Sequence, residues 1–129
     1  MGIAERRERE KEALRTRIVE RDGRPVQAVA APGSVDLPVT EVAAEELDGR
    51  LDAEVWRAFD LSRDQPIRAA LFRTGAVTHV LSLAFHHVAV DGWSVGILFR
   101  ELSALYGARV EGREDALPPV ALQYADFAA

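Results

Sequence analysis

A chain of 129 residues, 48% apolar and 29% charged, is long enough for one domain or part of one, burying roughly two-thirds of the surface its unfolded form exposes. The absence of cysteine excludes disulfides, thiolate metal sites and cysteine nucleophiles, and with no signal-peptide pattern the expected location is the cytoplasm. No apolar run approaches the ~20 residues that a membrane helix needs, and a formal charge of −5 offers no basic footprint for nucleic acid.

The first segment, residues 2–16, is almost continuously charged and spaced for i,i+4 pairing, with too few apolar positions to bury a face; it predicts a solvated helix. In "TRIVERDGRPVQAVA", β-branched residues flank Asp22-Gly23, a dipeptide suited to the positive φ angles of a tight turn, so a β-hairpin is expected. "VDLPVTEV" reads as a short extended edge piece, because Pro38 cannot donate to a ladder. Leu47, Leu51, Val55 and Phe59, four apart, predict a helix over "AEELDGRLDAEVWRAF".

Two apolar runs joined at Gly75-Ala76, "PIRAALFRTG" and "VTHVLSLAFHH", predict adjacent strands, the second one buried. "SVGILFRELSALYG" places Val95, Leu98, Leu102 and Leu105 or Tyr106 on one helical face, with Ser94 as N-cap and Gly107 as stop. The last segment starts as a Pro-containing loop and ends on apolar residues. No repeat or linker divides the chain.

Between the second strand and this helix lies "AFHHVAVDGWS", Ala84–Ser94. Successive strand side chains point to opposite faces, so His86 and His87 do not converge on one metal without a bend. His87 with Asp91 lacks a third ligand nearby, and His79 lies a strand away. Taken singly, a histidine ending a buried strand is hydrogen-bonded to backbone, and Asp-Gly is a turn. Taken together, the order puts an imidazole at a strand end, where functional groups are displayed, and a glycine where something can approach the backbone.

"HHVAVDGWS" resembles the HHxxxDG motif, in its DGWS form, of the condensation domains of nonribosomal peptide synthetases. "FDLSRDQPIRAALFR" (Phe59 to Arg73) is similar to that family's FDLxxxPLxRAxL segment, "YADFA" (Tyr124 to Ala128) to its YxDFA motif, and "EALRT" (Glu12 to Thr16) to the end of RHExLRT. The resemblance implies an α/β fold, an α+β sandwich resembling chloramphenicol acetyltransferase. Residues 1–129 are expected to be its incomplete N-terminal subdomain, a mixed sheet flanked by helices. It also implies amide formation between a carrier-bound acyl or peptidyl thioester and an aminoacyl amine. His87 matches the active-site histidine; His86 and Asp91 match its structural supports, with Arg15 as one candidate partner of Asp91. Gly92 falls where the phosphopantetheine arm approaches. Trp93 and Ser94 are assigned to packing and capping.

By the resemblance, no cofactor is bound directly, and substrates arrive on the phosphopantetheine of carrier proteins. The DGWS form favours a condensation over an epimerisation domain, and HHxxxDG argues against the heterocyclisation type. Two departures stand out: Glu10 and Lys11 occupy the places of Arg and His, and the charged run Ala4 to Lys11 replaces a more apolar helix. The first motif and the second half that closes the substrate tunnel are absent from these 129 residues. A lone half leaves His87 wet and its substrates unpositioned, so it is expected to be an acyltransferase-type catalyst only when complemented. The alternatives are a non-catalytic module that binds carrier proteins or self-associates through its exposed interface, and an acyltransferase using a diffusible acyl-CoA.

Overall fold

A computed structural model of the protein describes residues 11–128. Most of the helix expected over residues 2–16 lies outside them; within them, Glu12–Arg15 forms one 3-10 turn that ends where Thr16 becomes extended. Strands β1 (Thr16–Arg21) and β2 (Arg24–Val29) form the predicted hairpin, in register from Thr16 opposite Val29 to Arg21 opposite Arg24. Asp22 and Gly23 carry φ angles of 53° and 71°, the two positive values that a type I′ turn requires. The Ile18 N–H donates to the Leu61 carbonyl at 2.8 Å, tying this hairpin to the loop ahead of the main sheet.

The main sheet has the order β3-β4-β5, from β3 (Val39–Glu41), β4 (Ile67–Arg73) and β5 (His79–Phe85). β3 pairs parallel with β4, and β4 antiparallel with β5 from Ile67 opposite Phe85 to Arg73 opposite His79; the sheet is therefore mixed, as expected. β3 is the short edge piece foreseen from Pro38, whose carbonyl accepts the Leu71 N–H. The central strand is the buried one: Ala69, Ala70 and Phe72 are inaccessible, whereas β5 has only Ser82 fully buried, the reverse of the expected ranking. A central strand has neighbours along both edges and lies under the middle of whatever packs on the sheet, here Leu47 and Leu51 over Ala70 and Phe72, whereas Leu81 on the edge strand stays exposed.

Helix α1 (Leu47–Trp56) makes the parallel connection from β3 to β4 and lays Leu47 and Leu51 on the cluster of Val42, Ala70 and Phe72. Burying a side chain such as Phe72 contributes about 1.5–3 kcal/mol. The predicted stripe continues no further: Val55 is exposed, and Phe59 lies beyond the helix, because Arg57 turns extended at φ −65°, ψ 120°. Helix α2 (Gly92–Val110) buries Leu98, Leu105 and Ala108, with Tyr106 outside. Gly107 is interior to it. The stop is Gly112, at φ +67°, where the Gly112 N–H donates to Arg109 and the Arg113 N–H to Ala108, a Schellman end. A loop then leads to α3 (Tyr124–Ala128). Among the described residues no helix is long and apolar enough to cross a membrane.

Candidate active site

β5 ends at Phe85, so both motif histidines lie in the connection to α2 rather than on a strand. The Ala89 N–H donates to the His86 carbonyl at 3.0 Å, closing a β-turn over residues 86–89. His86 is anchored at both ends of its backbone, since its own N–H donates to the Pro66 carbonyl at 3.0 Å. Its side chain turns inward, where Nδ1 accepts the Val88 N–H at 3.0 Å. An imidazole nitrogen that accepts carries no proton, so the neutral ring bears its proton on Nε2. His87, at the next position of the turn, is exposed and makes no hydrogen bond among the described residues. Among the described residues no group of three ligating side chains could hold a metal.

Asp91 ends the turn as the N-cap of α2. Its Oδ1 accepts the Ser94 N–H at 2.8 Å and the Ser94 hydroxyl at 2.7 Å, while the Asp91 N–H donates to Ser94 Oγ at 2.8 Å. This is a reciprocal capping box, and it moves Ser94 from the predicted cap to the third helical position. The Ser94 hydroxyl, then the Ser94 amide, hold the Asp91 carboxyl below the usual carboxylate value. Arg15 does not meet Asp91: its Nη1 donates to the Ala30 carbonyl and its Nη2 lies 3.5 Å from Glu12 Oε1, so this guanidinium fastens the first turn to β2. Gly92 opens α2 with free space beside it, as a side-chain carbon there would meet nothing within 4 Å. Trp93, expected to pack, is 81% exposed.

Three separated segments converge here. A cleft of about 450 Å3 is lined by Ala13 and Leu14, by Val88–Asp91 with Trp93 and Ser94, and by Gln123 and Tyr124. The first and last are joined by the Glu12 N–H donating to Gln123 Oε1 at 3.0 Å. His87 sits beside the cleft, outside its lining. The fourth segment enters from behind: the Phe59 ring meets the His86 ring edge to face, centroids 6.0 Å apart and planes at 89°. The Arg68 guanidinium covers Phe59 at 4.3 Å, and its Nη2 donates to the Glu54 and Arg57 carbonyls, each at 2.7 Å. The sequence placed Phe59 on a helical stripe and in a family-like stretch; nothing local signals that it reaches a histidine 27 positions later.

The protein-family model of the Condensation domain matches residues 8–129. A probable non-canonical nonribosomal peptide synthetase, CymA of Salinispora arenicola, is 48% identical over 116 residues, covering 90% of this chain and 2% of that protein. A dimodular nonribosomal peptide synthase of Bacillus subtilis is 42% identical over 119 residues, 91% of this chain and 5% of its own length. Among solved structures, the X-domain from teicoplanin biosynthesis superposes with a TM-score of 0.88 at 36% identity, over 98% of this chain and 28% of that one. The epimerization domain from the third module of tyrocidine synthetase B gives 0.83 at 25%, over 98% and 30%. The chain therefore spans a few per cent of these relatives and under a third of the solved domains, with the fold the sequence led one to expect, and it belongs to the condensation domain family.

Proposed function

We propose that this chain supplies the histidine-bearing part of a condensation domain, its N-terminal subdomain, which forms an amide between a carrier-bound acyl or peptidyl thioester and an aminoacyl amine. The carrying observation is convergence: the three motif segments around residues 13, 90 and 124 line one cleft, and His87, exposed and without a hydrogen bond among the described residues, adjoins its lining residue Val88. In the reaction the amine nitrogen bonds to the thioester carbonyl, the C–S bond breaks, and the amine proton passes to the departing thiolate. Imidazole exchanges protons near neutral pH, so His87 is suited to take that proton or to orient the amine. His86 and Asp91 shape the turn that presents it, and the open side of Gly92 leaves room for the phosphopantetheine arm that carries the substrate.

Water reaches His87 freely, so this segment alone neither excludes solvent nor holds two substrates in line, and most of the rate advantage comes with the remaining part of the domain. The partners are acyl and aminoacyl carrier proteins together with that second part. One observation favours a different reading, a non-catalytic binding module: a related X-domain, 37% identical with a TM-score of 0.84, forms a complex with OxyB.

Mass spectrometry of amide formation from loaded carrier proteins tests the choice, comparing the chain alone, the chain with a separately expressed second part, and His87→Ala. Product that requires both parts and His87 supports the condensation reading. No product in any mixture overturns it in favour of the binding module.

A further inference from the structure

We propose that Phe59, steadied by Arg68, is a positioning residue that fixes the His86 imidazole in one orientation and one tautomer and so sets the turn that carries His87. The proposal rests on reading that turn as the condensation centre, although its structural part stands by itself.

A histidine at the end of a strand can rotate about two side-chain bonds and place its proton on either nitrogen. His86 is used in one way only, since accepting the Val88 N–H at 3.0 Å requires Nδ1 bare and pointed along the turn. The bond is local, two residues apart, and lies at a site open to water, which offers the Val88 N–H a competing acceptor. What distinguishes His86 from an ordinary turn histidine is the ring behind it. Phe59 meets the imidazole at 89°, the T-shaped geometry that aromatic pairs favour, and blocks rotation toward its own side.

Phe59 in turn lies outside the helices and strands, in a loop whose backbone bonds begin one residue later, at Asp60 and Leu61. Its restraint is Arg68 on the central strand β4, whose guanidinium sits 4.3 Å from the ring centroid. That guanidinium is itself immobilised by the two carbonyls at the end of α1 and by Glu54 Oε2 at 3.5 Å. The line of contact from the α1 terminus through Arg68 and Phe59 to His86 connects the central strand to the turn that carries the motif histidines. None of these residues lines the cleft beside His87. Their action is through His86.

The test uses the full chain, isotope-labelled so that imidazole nitrogens are read by long-range proton–nitrogen correlation, with Val88 amide exchange measured in parallel. The wild type shows His86 as a single Nε2-protonated tautomer. Phe59→Met, which keeps volume and loses the ring, is expected to populate both tautomers and to speed Val88 exchange about two- to tenfold, the range of an aromatic pair. Its urea midpoint falls by roughly 1 M or less, from loss of the aromatic pair and the cation contact, and the variant stays folded in water. Phe59→Tyr restores both readings. If Phe59→Met does not fold, Arg68→Lys, which keeps a cation but loses the paired carbonyl contacts, gives the same change in smaller measure. A folded variant of either kind with wild-type His86 tautomer and Val88 exchange overturns the proposal. In the two-part amide assay Phe59→Met lowers kcat with KM retained. Failure of that assay for the wild type refutes the functional reading while leaving the imidazole result to decide this one.

Discussion

Replacing Arg68 with methionine keeps the apolar stem and removes the guanidinium, and the structure gives the cost. The side chain is only 15% exposed and donates to two carbonyls at the C-terminal end of α1, which has no glycine to close it. A hydrogen bond from a charged donor contributes about 1.5–3 kcal/mol. The Arg57 carbonyl is exposed and regains water when the bond is lost, so one such bond, made to the Glu54 carbonyl, is counted. A cation at a helix C-terminus adds about 0.3–1 kcal/mol, and one over an aromatic ring about 0.5–1 kcal/mol. With methionine recovering part of the packing, the sum is about 2–4 kcal/mol, a large share of the ~5–15 kcal/mol that holds a domain together. Urea unfolding followed by far-ultraviolet circular dichroism reads it directly. At a slope of about 2 kcal/mol per molar, the middle of the usual range, the midpoint falls by roughly 1–2 M. Arg68→Lys recovers less than half, because an ammonium cannot span both carbonyls and the Glu54 carboxylate. A midpoint for Arg68→Met equal to that of the wild type would refute the argument, showing that the paired carbonyls are served as well by water.

Two further outcomes are expected. Asp60 and Asp91 are both held below the ordinary carboxylate value of 3.8, the first by the Ser62 hydroxyl and amide, the second by those of Ser94. Both therefore stabilise the fold fully above that value and lose the contribution as pH falls through their depressed values; acid titration of α2 helicity should show a low-pH loss that Asp91→Asn flattens. Gly92→Ala meets open space at a helical position where φ is not positive, so stability is unchanged or slightly raised, and any fall in amide formation by the complemented enzyme reports crowding of the arriving substrate arm.

The legible parts of the fold were those set by neighbours in sequence. Asp22-Gly23 specifies its turn through two φ angles that few other residues adopt, and the register of the first hairpin follows. Pro38 marks the edge strand for a similarly local reason. What escaped was decided at a distance. The periodic stripe that included Phe59 was sound as a pattern, but the carbonyls that would continue α1 are taken by Arg68, from another strand. Gly107 and Gly112 are equivalent as letters, and only the Schellman bonds from Gly112 and Arg113 choose between them. At the site, the motif located His86, His87 and Asp91 through resemblance. Its spacing could not say that Arg15 closes on the Ala30 carbonyl instead of Asp91, or that Trp93 faces outward.

The same geometry explains why the motif has the spacing it does. Between the end of β5 and the start of α2 the chain makes one β-turn, His86 to Ala89. The first turn position supplies the acceptor for the Val88 N–H, and the second lies exposed. One further residue, Val90, brings the chain to the point where α2 needs a cap, and Asp91 supplies it while its carbonyl accepts the first helical bond from Val95 at 3.1 Å. A glycine next leaves the helix entrance uncovered. On this account the four-residue interval between His87 and Asp91 is the length of a turn plus a cap and carries no ligand logic. Adding or removing one residue between them would keep every side chain of the motif and still misdirect His87, because the strand end and the helix cap are each fixed independently.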